Sequence, residues 1–188
     1  REHARQLHKL LNDNTLPDTL KFTLYAFQAF NKGDFRDAVR YFDQIGMANL
    51  SPLALYDYGS ALFKMNETEK AEAAFLMMKK LAQDKKDSHD LAQAFVGLAC
   101  IAYKESGKNA FLEWNERAVE TGKQSDALFP LCIARLNLGI VHLNLDNFKI
   151  AKKHIEKAAP GFLALHEYRR ALRAYTKLGQ VYSGLYDY

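Results

Sequence analysis

The chain has 188 residues, 48% of them apolar and 26% charged, with a formal net charge of +4, four prolines and ten glycines. That supply of apolar residues supports a continuous core and excludes the low-hydrophobicity, high-charge composition of disorder. The basic excess is mild, its paired cations are scattered (Lys79-Lys80, Lys85-Lys86, Lys152-Lys153, Arg169-Arg170), and no apolar run approaches the roughly 18 residues of a membrane span, so neither a nucleic-acid face nor a spanning helix is expected.

Apolar residues at helical spacing predict helices over about 1–13, 18–31, 35–47, 52–65, 67–84, 89–105, 109–122, 127–144, 147–165 and 168–184. The second and third are separated by Asn31-Lys32-Gly33-Asp34, which holds the Gly, Asn and Asp of turns and caps. Ser51-Pro52 opens the fourth with a cap residue before a proline at the first helical position. Lys64-Met65-Asn66-Glu67 closes it, and Asn66 followed by Glu69 reads as a capping-box-like start to the fifth. Cys100 and Cys132 fall in the sixth and eighth helices; their spacing matches no zinc or redox motif, so they read as two buried free thiols. In the eighth helix Leu136, Ile140 and Leu143 line one side and Leu138, Val141 and Leu145 another, as expected of a helix sandwiched in a stack.

A repeat runs through these elements. An apolar or aromatic residue followed by Ala or Gly recurs at Tyr25-Ala26, Tyr58-Gly59, Leu98-Ala99, Leu138-Gly139 and Leu178-Gly179, in steps of 33, 40, 40 and 40 residues. A second small residue follows at Ala38, Ala71 and Ala151, with Phe42, Phe75 and Ile155 four positions later. Two helices approach closely only where a side chain is small, so this register predicts helix pairs crossing at Gly59 with Ala71 and at Gly139 with Ala151.

No constellation of catalytic residues emerges. The six histidines form no His-x3-His pair and no H-E-x-x-H, there is no G-x-S-x-G and no phosphate-binding glycine loop, and His142 reads as a packed core residue. The expectation is a protein that is not an enzyme and needs neither metal nor cofactor.

The pattern resembles the tetratricopeptide repeat (TPR) family, through Leu138-Gly139 with Ala151 and Ile155, Leu178-Gly179 with Tyr182, and Gly33-Asp34-Phe35 leading to Ala38 and Phe42. Phe111 and Asn115 depart from it, standing where a small residue and an aromatic are usual. The 40-residue steps resemble the extended-helix variant of bacterial peptide-sensing regulators and some scaffold proteins. The resemblance implies an all-α solenoid of stacked antiparallel helix pairs in a right-handed superhelix. It divides the chain into the end of an upstream repeat (1–17), repeats at 18–51 and 52–88, a degenerate repeat at 89–126, a repeat at 127–167, and the start of a truncated one at 168–188.

The family's concave face, lined by the first helix of each repeat, implies the binding residues. Carried over, these are Phe27, Phe30, Tyr56, Phe63, Tyr103, Asn137, Asn144, Arg173, Lys177 and Gln180, with Thr23, Ser60, Val96, Cys100 and Ile140 beside them. Asn137, Arg173 and Lys177 resemble part of the family's clamp for a terminal carboxylate, but Val96 and Cys100 stand where Lys and Asn complete it. The function implied is a non-enzymatic protein- or peptide-binding scaffold within a larger, cytoplasmic protein. Its partner would carry an acidic group or free carboxylate; no nucleic acid and no membrane span are implied. The alternatives are the receptor region of a bacterial regulator that changes curvature on binding a short signalling peptide, and a module that self-associates through its repeat ends.

Overall fold

The computed structural model of the chain describes residues 16–125 and 127–186. The helix expected over residues 1–13 lies outside them. Among the described residues the chain is all helical, with no strand. The helices are α1 (Asp18–Lys32), α2 (Phe35–Ile45), α3 (Pro52–Lys64), α4 (Thr68–Lys85), α5 (Ser88–Glu105), α6 (Lys108–Lys123), α7 (Leu128–Leu143), α8 (Phe148–Ala164) and α9 (Tyr168–Tyr186), with a short 3-10 turn at Met47–Asn49. None is long and apolar enough to cross a membrane.

Helix ends follow local chemistry. Asp34, Ser51 and Asp87 accept the backbone N–H of Asp37, Ala54 and Asp90 at 3.3, 3.3 and 3.0 Å, satisfying donors that the first helical turn leaves orphaned. Stops come from left-handed residues: Gly33 (φ 83°), Asn66 (69°), Lys86 (54°), Gly107 (82°), Asp146 (56°) and His166 (57°). Two sequence expectations are corrected here. Asn66 is a left-handed stop to α3, and α4 begins only at Thr68, because a short amide side chain tolerates positive φ as well as it caps. The helix expected to reach residue 47 stops at Ile45, since Gly46 turns to φ 79° and returns its N–H to Phe42 and Asp43.

The chain forms two compact units, residues 1–78 and 79–188. In the first, α1 packs on α2, α2 on α3, and α1 also touches α3. Its core holds Ala26, Ala38, Phe42, Leu55, Leu62, Ala71 and Phe75. A Cβ on Gly59 would lie 2.8 Å from the Phe75 ring, so the glycine is the socket into which that ring fits. In the second unit α5 packs on α6, α7 on α8 and α8 on α9, while α5 touches α7 and α7 touches α9. Leu136, Ala151, Ile155, Ala158, Phe162, Ala174 and Val181 belong to one core cluster there. A Cβ on Gly139 would collide with Ile155 and stand 3.3 Å from the Ala151 carbonyl oxygen. Consecutive helices joined by short turns and packed on their neighbours make each unit a segment of α-solenoid.

The divergent repeat keeps its pairing by exchanging sizes. Phe111, where a small residue is usual, shares a core cluster with Ala99 and Val141. Asn115, where an aromatic is usual, is fully buried. Of the two free cysteines, Cys132 is buried, against Gly161, and its thiol is pushed up by that burial. Cys100 is only half-buried, which corrects the reading of two buried thiols. His142 likewise is half-buried rather than core: its ring stacks on His154 at 6.1 Å and 12°.

Candidate binding groove

Within residues 79–188, the first helices of successive pairs, α5, α7 and α9, stand side by side. Helical geometry brings residues three and four apart onto one face, so Asn137, Ile140, Val141 and Asn144 line up along and just beyond α7. Together with Tyr103 from α5, Phe111 from α6 and Arg173 from α9 they line a groove of about 230 Å³. That volume is below the roughly 300 Å³ at which compact small-molecule sites begin, so it suits one or two side chains of an extended segment.

The groove has an aromatic end and a basic end. Tyr103, 64% exposed, meets the edge of Phe111 at 5.2 Å, leaving much of its ring open to a partner. Arg173 is exposed and forms no ion pair among the described residues, and no carboxylate lines the groove. Between them Asn137 is held in place: its Nδ2 donates to Asn115 Oδ1 at 3.0 Å, and Asn115 Nδ2 donates to the Phe111 carbonyl at 2.8 Å. This chain of two amides fixes the Asn137 rotamer, a pre-organisation that lowers the entropic cost of binding.

Four of the ten expected binding residues, Tyr103, Asn137, Asn144 and Arg173, thus line one groove. Lys177 and Gln180, also on α9, are not in its lining; Lys177 Nζ donates to Gln180 Oε1 at 2.9 Å. The other four lie in residues 1–78 and are half-buried. Phe27 meets Phe42 at 6.0 Å, Phe30 meets Phe35 at 5.7 Å and Tyr56 meets Phe75 at 5.9 Å, so these rings hold α1 to α2 and α3 to α4; Phe63 is half-buried on α3. Of the neighbouring positions, Val96 is buried. Neither Phe111 in the groove lining nor Asn115, buried behind Asn137, was expected from sequence as part of the site. Their only signal was that they broke the repeat pattern.

Other chemistry is accounted for locally. Asp87, His89 and Asp90 place ligand atoms within 4.8 Å of one another, the sole such group of three among the described residues. They sit at the exposed start of α5, where Asp87 is already engaged as the helix cap. A larger cavity of about 590 Å³ lies between Asp146–Ile150 and the Gly184-Leu185 end of α9, and none of the expected residues lines it.

The helix pairing and the glycine register make this a TPR-like helical repeat fold. Solved structures that share it include two described by name. One is a signal transduction ATPase with numerous domains (STAND) protein with a tetratricopeptide repeat sensor, from Pyrococcus horikoshii, matched over 90% of this chain at 18% identity with a TM-score of 0.65. The other is BtubC (BKLC) from P. vanneervenii, matched over 96% of this chain and 79% of its own at 16% identity, with a TM-score of 0.68. The chain spans 28% of the length of the STAND protein. At these identities the likeness concerns the fold. No family model matches the chain, and no curated protein matches it in sequence.

Proposed function

We propose that this chain is a non-enzymatic module that binds an extended peptide segment of a protein partner in the groove between α5, α7 and α9. The observation that carries the reading is the convergence of Tyr103, Asn137, Asn144 and Arg173, from three separate first helices, on one groove. Arg173 offers a forked cationic donor to an acidic side chain or terminal carboxylate. Asn137, with its amide nitrogen engaged by Asn115, turns its carbonyl oxygen to a peptide N–H, and Asn144 adds a second amide. Tyr103 supplies an amphipathic ring for an apolar residue.

The test begins with a phage-displayed library of extended peptides, panned on the chain. Enriched peptides are then synthesised and titrated by calorimetry into wild type, Arg173→Ala and Asn137→Ala. Enrichment of Asp, Glu or acidic C-termini is expected, with affinity falling about tenfold or more in Arg173→Ala and the melting temperature unchanged. Equal affinity of wild type and both variants for every enriched peptide would remove the groove as the site. A second reading, a sensor region within a larger signalling protein, is favoured by the sensor role that the STAND neighbour's name gives its repeats. It requires the same groove, and a change in helix spacing when peptide binds.

A further inference from the structure

We infer that Arg135, His142 and His154, on the side of α7 turned away from the groove, form an anion site that takes a phosphate group, with Lys123 and Lys153 at its rim. Helix geometry sets the placement. Arg135 and Asn137 are two positions apart on α7, about 200° around the helix, so Asn137 lines the groove while Arg135 faces the opposite side. His142 follows Arg135 by seven positions, about two turns along that same side. α8 packs on α7 and brings the His154 ring to 6.1 Å from that of His142, within 12° of parallel. Arg135 and both imidazoles are half-buried; Lys153, beside His154 on α8, and Lys123, at the end of α6, are exposed.

The cluster gathers cations without an acid among them. Arg135, Lys123 and Lys153 make no ion pair among the described residues. Besides burial, the groups that act on His154 are His142, Lys153, Arg135 and Lys123, one or two from each of α6, α7 and α8, and all of them oppose its protonation. Like charges brought together in this way cost stability unless a counter-charge joins them. His142 Nδ1 is buried without a hydrogen-bond partner, so stacking, not a hydrogen bond at that nitrogen, orients the ring. No third metal-ligating side chain joins the two imidazoles among the described residues, which leaves an anion as the ligand this chemistry suits.

A phosphate group matches the site. It carries a charge of about −2 and three strong acceptor oxygens. Arg135 offers a forked pair of donors, the geometry that holds phosphate in two parallel bonds. The rim lysines add flexible point charges. A bound dianion also favours the protonated imidazoles, so it turns two neutral rings into charged donors. The cations at 123, 135 and 153 are far apart in sequence, and only the packing of α6, α7 and α8 brings them to one place.

The test follows histidine ring and backbone amide resonances of the 188-residue chain during titration with inorganic phosphate, sulfate, and a short phosphoserine peptide beside its unphosphorylated twin. Shifts should saturate at Arg135, His142 and His154 and spare Tyr103 and Asn144. Sulfate stays doubly charged over the range, so its affinity should rise several-fold from about pH 7 to about pH 5 as proton uptake becomes coupled to binding. His154, at about 4 in the free chain, should titrate higher with sulfate bound. Arg135→Gln should weaken phosphate and sulfate about tenfold, and Arg135→Lys, which keeps the charge without the fork, should recover part of the loss. Asn137→Ala should leave anion affinity unchanged, which separates this site from the groove. A phosphopeptide that binds tighter than phosphate, with a silent twin, assigns the site to a phosphorylated protein segment; phosphate binding tighter than the phosphopeptide assigns it to the free anion. No saturable shift with any anion, equal binding by the unphosphorylated twin, a His154 titration unmoved by sulfate, or full affinity in Arg135→Gln would each overturn the proposal.

Discussion

Gly139 and Gly179 hold the same place in successive repeats, so the same substitution at each should act in opposite directions. At Gly139 a Cβ already collides with Ile155 and stands 3.3 Å from the Ala151 carbonyl oxygen. Ile155 is fully buried and Ala151 O is backbone, so neither can swing aside, and α7 and α8 must separate. Overpacking of this kind costs about 1–3 kcal/mol, near the upper end for a side chain as large as Leu. Replacing a mid-helix glycine returns about 0.8–1 kcal/mol of helix propensity. The net loss for Gly139→Leu is then about 2 kcal/mol, or roughly 4–8 °C in melting temperature for a chain of this size. Gly179→Leu meets nothing and keeps the propensity gain, so its melt should stay level or rise by a few degrees. Parallel circular-dichroism melts of wild type and both variants decide the matter. Equal shifts in both variants, or a Gly139→Leu melt superimposed on wild type, would refute the register.

Three further outcomes are expected. Burial, with His142, Lys153, Arg135 and Lys123 adding to it, brings the His154 imidazole down to about 4. The unfolded chain therefore takes up that proton first, and stability should fall as pH drops from about 6.5 to about 4; urea midpoints for His154→Gln should lose less over that window than wild type, and an identical loss would contradict this. Burial lifts the Asp57 carboxyl to about 6, so its contribution is present below about 3.8 and is lost as pH rises through about 6. Asp57→Asn should accordingly raise the melting temperature at neutral pH and change it little near the lower value; equal effects at both would count against it. Asn115→Leu should fold with a near-native melt, because an apolar residue suits that buried slot, yet weaken a groove-bound peptide about three- to tenfold by releasing Asn137. Unaltered affinity would show that the amide pair does not position the groove.

How far the fold could be read from sequence depended on whether its signals were local. Ser51-Pro52, Gly33 and the small residues every 33 or 40 positions act within a turn or on the facing helix, and helix bounds and pairing followed from them. Asn66 was misread because the same side chain serves an N-cap and a left-handed stop, and only the backbone chooses between them. Aromatic rings posed a different ambiguity. Phe27, Phe30 and Tyr103 recur on first helices alike, but Phe27 and Phe30 pack partly buried against α2 while Tyr103 stays 64% exposed. The Asn115–Asn137 bond joins residues 22 apart on different helices, a coupling that no local pattern encodes. The repeat register placed Asn137, Asn144 and Arg173 on first helices, and they line one groove, but the same register also chose Lys177 and Gln180, which lie outside its lining.

The most direct test of groove binding is amide chemical-shift mapping of the chain with the best acidic peptide recovered by panning. The largest shifts should cluster at Tyr103, Phe111, Asn137, Asn144 and Arg173, and should collapse in Arg173→Ala. Shifts centred on Leu172, Tyr175 and Gly179, or on α6 and α8 away from these residues, would contradict the assignment of the groove as the peptide-binding site.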